Sequence, residues 1–82
     1  MNKSIYTKAY QKFLSFLKES RISAGITQVE LAKKLGTSQS VISKCEIGER
    51  RVDLIEFINI CKVLKLDPIK AIKNINKFKS KK

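Results

Sequence analysis

Histidine and tryptophan are both missing from these 82 residues, and acids are scarce. Seven Asp and Glu stand against 18 Lys and Arg, a formal net charge of +11. Without histidine the chain lacks the commonest general base and the commonest metal ligand. So short a chain also rarely supplies the walls of a substrate cleft. No base, nucleophile and orienting group stand out as a set among its Tyr, Lys and Cys residues, so neither an enzyme nor a cofactor is expected.

Cysteine is limited to Cys45 and Cys61, 16 residues apart with no histidine to complete a zinc spacing. A disulfide is one reading. The favoured one is two reduced thiols serving as small core hydrophobes in a cytoplasmic protein. Met1-Asn2-Lys3-Ser4 leads into no apolar run of the kind a signal peptide carries, and no stretch approaches the length of a membrane span. At 43% hydrophobic residues the chain is too apolar for a disordered polybasic tail. One domain over residues 1–82 is expected, and its surplus charge points to a polyanion, either nucleic acid or an anionic membrane surface.

Three glycines and one proline are few enough to act as punctuation. Between them the spacing predicts five helices and no strand, an all-α fold. The first covers about Thr7 to Ser23, with Tyr10, Phe13, Leu14, Leu17 and Arg21 on one stripe, and Gly25 ends it. The second opens on Thr27 with Glu30 three residues on, a capping box, and turns Leu31, Ala32 and Leu35 inward before Gly36. The third follows Thr37 or Ser38, either of which can cap, and runs to about Ile47. The fourth opens on Asp53 with Glu56 as capping partner and is expected to face Leu54, Phe57, Ile58, Cys61 and Leu64 inward. The fifth opens on Asp67-Pro68 and repeats Ile69, Ile72, Ile75 and Phe78, followed by a basic tail from Lys77 to Lys82.

Two short helices across a glycine turn, residues 28–47, form a helix-turn-helix candidate. Ala32 stands where they approach closest. At about 100° per residue, Gln39, Ser40, Ser43 and Lys44 share one arc of the third helix and Val41, Ile42 and Cys45 the opposite one. Uncharged donors and acceptors on an exposed face suit base edges: Gln pairs bidentately with adenine, Lys reaches guanine, Ser serves either. The bland alternative is a solvated polar face.

The blocks "GITQVELAKKLG" and "SQSVISKCEIGERR" resemble the Cro/C1-type, or Xre-type, helix-turn-helix regulators, and the likeness runs from about Tyr10 to Pro68. It implies a five-helix, lambda-repressor-like fold whose third helix enters the major groove of double-stranded DNA. Gln28 then matches a phosphate contact, and Gln39, Ser40, Ser43 and Lys44 the base-reading and adjacent phosphate positions, with Ser38 at their head. Arg50 and Arg51 match a loop that follows the DNA backbone, and Arg21 with Glu46 a partly buried ion pair. Cys45 departs from the pattern, standing where a larger apolar side chain is frequent. On residues alone, Arg21 also reads as a solvated helix residue, and Arg50 and Arg51 as neutralised by Glu49 and Asp53.

The function so implied is a transcriptional regulator, a repressor acting as a homodimer. An antitoxin or controller of the same fold, bound mainly to a companion protein, is the alternative. Membrane-surface binding through Ile69, Ile72, Ile75 and Phe78 with Lys70, Lys73, Lys77 and Lys79 is disfavoured, because the core or a dimer contact needs that apolar stripe. The charge itself is uneven. Residues 1–18 hold four Lys and residues 70–82 six, with no acid in either. Residues 19–69 hold eight basic against seven acidic side chains. The terminal lysines are therefore expected to set salt-dependent affinity, and the third helix specificity.

Overall fold

The computed structural model describes residues 7–79, and the side chains of residues 7–74. It contains α1 (Lys8–Ser23), α2 (Gln28–Leu35), α3 (Gln39–Glu46), α4 (Leu54–Leu64) and α5 (Pro68–Lys79). Each start is set by a side-chain oxygen that takes up an orphan backbone amide. The Thr7 hydroxyl accepts from the Tyr10 amide at 3.1 Å, and the Asp67 carboxylate from the Ile69 amide at 2.9 Å. Thr27 with Glu30 and Asp53 with Glu56 form complete capping boxes. Between the two candidates for α3, the cap is Ser38, whose hydroxyl accepts from the Val41 amide at 3.3 Å.

The ends differ more. Gly36 closes α2 in the left-handed region at φ 73°, where glycine carries no Cβ penalty. α4 ends the same way on Lys65 at φ 59°, the only non-glycine with positive φ among the described residues. The turn is held by the Leu66 amide, which donates to the Cys61 carbonyl at 2.8 Å.

The largest core cluster joins α1, α4 and α5 through Leu17, Phe57, Ile60, Cys61, Leu64 and Ala71. A smaller one, Leu31, Ala32 and Ile42, joins α2 to α3, and Ile26, Leu35 and Val63 pack against both. Both thiols are free and buried. Burial, helped by the nearby Asp67 charge, raises the Cys61 thiol above its ordinary pKa.

Leu54, expected to face inward, needs correction, and Ile69 and Ile72, expected to serve the core or a dimer contact, lie outside the core. Leu54 is 63% exposed, and Ile69 and Ile72 are 63% and 50% exposed, while Ile60 and Ala71 fill the places assigned to them. Leu54 is the first residue of α4, where the inward stripe overhangs the end of the core. Among the described side chains of α5 the buried contact is made by the small Ala71, which lets that helix approach closely and leaves Ile69 and Ile72 to the flank. The side chains of Ile75, Lys77, Phe78 and Lys79 lie outside the described residues. No described helix is long and apolar enough to cross a membrane.

Candidate nucleic-acid interface

The α2–turn–α3 unit is built around Ala32, 3% exposed, which lets Leu31 and Ile42 meet. The Thr37 amide donates to the Ala32 carbonyl at 2.9 Å, so the turn folds directly over that residue. Ile42 and Cys45 then anchor α3 from below, with Val41 half-buried beside them. Gln39, Ser40 and Lys44 are left exposed, as the helical arc predicts, while Ser43, expected on the same exposed arc, is half-buried.

Beneath this face runs a chain of polar contacts. Arg21 donates to the Glu46 carboxylate through Nε at 2.7 Å and Nη2 at 3.2 Å, and through Nη1 to the Ile26 carbonyl at 2.8 Å. The two side chains are only 10% and 8% exposed, so Arg21 is a buried ion-pair partner and not a solvated residue. Gln28 Nε2 donates to Glu46 Oε1 at 2.9 Å, and Gln39 Nε2 donates to Gln28 Oε1 at 2.6 Å. A buried charge on α1 is thus linked through three side chains to the head of α3. Sequence alone places Gln28 and Gln39 separately at the DNA and carries no sign that they touch.

The α3–α4 loop is pinned as firmly. Arg50 donates to both oxygens of Glu56, at 3.1 and 2.8 Å, and its Nη1 lies 3.4 Å from Cys45 Sγ. Its charge partner is therefore Glu56, not Glu49 or Asp53. Through these bonds Arg50 is held above the ordinary guanidinium pKa, while Glu56 is held below the ordinary carboxylate value. The Val52 amide donates to the Tyr10 hydroxyl at 3.1 Å, tying the loop to α1. Arg51 is exposed between these anchors. Sequence offered no signal for the Arg50–Glu56 pair, because a spacing of six across a loop follows no helical rule.

The face thus presents a row of amide, hydroxyl and ammonium groups on a short helix, flanked by an arginine loop. Among the described residues no cluster of His, Cys, Asp and Glu could hold a metal ion. Residues 17–70 match the helix-turn-helix family model. A solved structure of an XRE-family like protein from Pseudomonas syringae pv. tomato str. DC3000 is similar, with 43% identity, 94% of each chain covered and a TM-score of 0.84. No curated protein matches the chain. The fold and site define a helix-turn-helix DNA-binding regulator. The chain belongs to the Cro/C1-type, or Xre, branch of that family.

Proposed function

We propose that this protein is a repressor that binds a specific double-stranded operator in the cytoplasm, with α3 in the major groove. The observation that carries the reading is the pairing of Gln39 with Gln28, which presents an oriented amide at the head of the exposed face. Gln39, Ser40, Ser43 and Lys44 contact bases and adjacent phosphates. Gln28 and Ser38 lie along the phosphates at the mouth of the motif. Arg51 and Arg50, the latter from its seat on Glu56, follow the backbone from the loop.

A recognition helix of eight residues reads few base pairs, so the working unit is a homodimer on a palindromic site. Its half-sites lie about one helical turn apart. Leu54 and Ile72, exposed around a groove that Tyr10, Phe13 and Phe57 also line, supply apolar surface for the second copy.

Selection from a random duplex library at fixed salt tests the reading. The expected result is a palindrome whose preference is lost in Gln39→Ala and Lys44→Ala, while circular dichroism is unchanged. Enrichment of no duplex would favour a companion protein as the main partner, as in an antitoxin or controller. A monomer by sedimentation, on and off the full operator, would remove the dimer.

A further inference from the structure

An ionised carboxylate accepts hydrogen bonds and gives none. Glu46 accepts from Arg21 at 2.7 and 3.2 Å and from the Gln28 amide nitrogen at 2.9 Å. Gln28 is therefore fixed with its Nε2 toward Glu46 and its Oε1 toward Gln39, and that oxygen takes a hydrogen from Gln39 Nε2 at 2.6 Å. The orientation passes one residue further. With one N–H committed to Gln28, Gln39 offers its Oε1 and its second N–H to whatever lies outside.

We propose that the charge of Glu46 fixes the base that Gln39 selects, making Glu46 a positioning residue for adenine over guanine. The inference rests on the reading of Gln39 as a base contact. An acceptor beside a donor complements adenine, whose N6 amino group donates and whose N7 accepts. Guanine presents N7 and O6, both acceptors, and its O6 would face the Gln39 Oε1.

Glu46→Gln removes the constraint. The new amide keeps its oxygen on Arg21 Nε, the shorter bond at 2.7 Å, gives up the 3.2 Å contact with Arg21 Nη2, and turns its NH2 to Gln28, whose own amide then reverses. Gln39 reverses in turn, accepts from Gln28 and offers both N–H groups outward, the pattern that suits guanine. The bond from Arg21 to the Ile26 carbonyl does not involve Glu46 and keeps the guanidinium in place.

The test uses the full chain and a selected duplex, in which Gln39→Ala locates the base pair that Gln39 reads. All four base pairs at that position are titrated at fixed salt against the wild type, Glu46→Gln and Gln28→Leu. The wild type is expected to favour adenine over guanine by roughly tenfold, and Glu46→Gln to reduce this to about threefold or less, or to invert it. Gln28→Leu cuts the relay while leaving Arg21 and Glu46 paired. It should narrow the ratio as well, and it carries the test if thermal melting shows Glu46→Gln to be unfolded. A purely structural role would weaken binding to every duplex and leave the adenine-to-guanine ratio unchanged. That result in the folded variants, or a wild-type preference for guanine, overturns the inference but leaves Gln39 as a base-reading residue. A wild type indifferent to sequence defeats the reading on which it rests.

Discussion

Glu56 grips Arg50 with both carboxylate oxygens, and one of those oxygens also accepts from the Asp53 amide at 3.0 Å. A single side chain thus opens α4 and closes the loop that carries Arg51. Residues 50 to 53 are held from both ends, since Tyr10 takes the Val52 amide as well. The loop beside α3 is consequently a fixed part of the surface.

Acid should loosen this clasp. Glu56 is held below the ordinary value of 4.5, first by the Arg50 hydrogen bond and then by the Asp53 backbone. The unfolded chain therefore takes up the proton first as pH falls. The stability contributed is complete above about 4.5 and is lost as pH drops through the folded value. With the carboxylate 35% exposed, solvent screening keeps the effect modest. Thermal melts should show Glu56→Gln less stable at neutral pH, with a shallower decline between about pH 5 and pH 3 than the wild type. Equal acid slopes would assign the sensitivity to other carboxylates.

The buried pair should be far less forgiving. Arg21→Ala strands the Glu46 carboxylate in the core and strips the Ile26 carbonyl of its donor. Removing one partner of such a pair costs about 3–5 kcal/mol. For a domain of this size that is a large share of total stability. Urea titration measures it, and a loss under about 1 kcal/mol would mean that water reaches the site.

Lys65 offers a gain. Its left-handed backbone carries a steric penalty that glycine escapes, partly offset by the greater freedom of glycine in the unfolded chain. Lys65→Gly should stabilise the protein by about 0.5–1 kcal/mol. Equilibrium unfolding that shows no gain would indicate that the lysine side chain supplies compensating contacts.

Salt dependence should report the terminal lysines. Deleting residues 79–82 removes Lys79, Lys81 and Lys82. The slope of log affinity against log salt should fall by about 0.9 for each phosphate no longer neutralised, while base preference stays the same. An unchanged slope would move the electrostatic contribution to the motif itself.

Helix starts were legible because capping is local chemistry: Thr27 with Glu30, Asp53 with Glu56, and Asp67 before Pro68 announce themselves within four residues. The buried arc of α3 was legible for the same reason, through helical period. What escaped was decided between elements. Leu54 sits on the correct angle of α4 and is still exposed, since among the described residues nothing covers that end of the core. Among the described side chains of α5, Ala71 is buried in place of the larger Ile69 and Ile72, a preference for close approach that hydrophobicity alone does not rank. The Arg21–Glu46 pairing came through family likeness. The Gln28–Gln39 contact and the Arg50–Glu56 clasp depend on how α1, α2 and α4 are set around α3, and no spacing rule encodes that.

The bond from the Val52 amide to the Tyr10 hydroxyl has a practical side. With no tryptophan in the chain, ultraviolet emission comes from Tyr6 and Tyr10 alone. The Tyr10 phenol accepts a hydrogen from the very loop that flanks the reading helix. Its ring also stands 5.6 Å from Phe13, so its surroundings are fixed. The molecule therefore carries a native optical probe at the edge of the surface proposed to meet DNA, and docking there can be followed by light without attaching a dye.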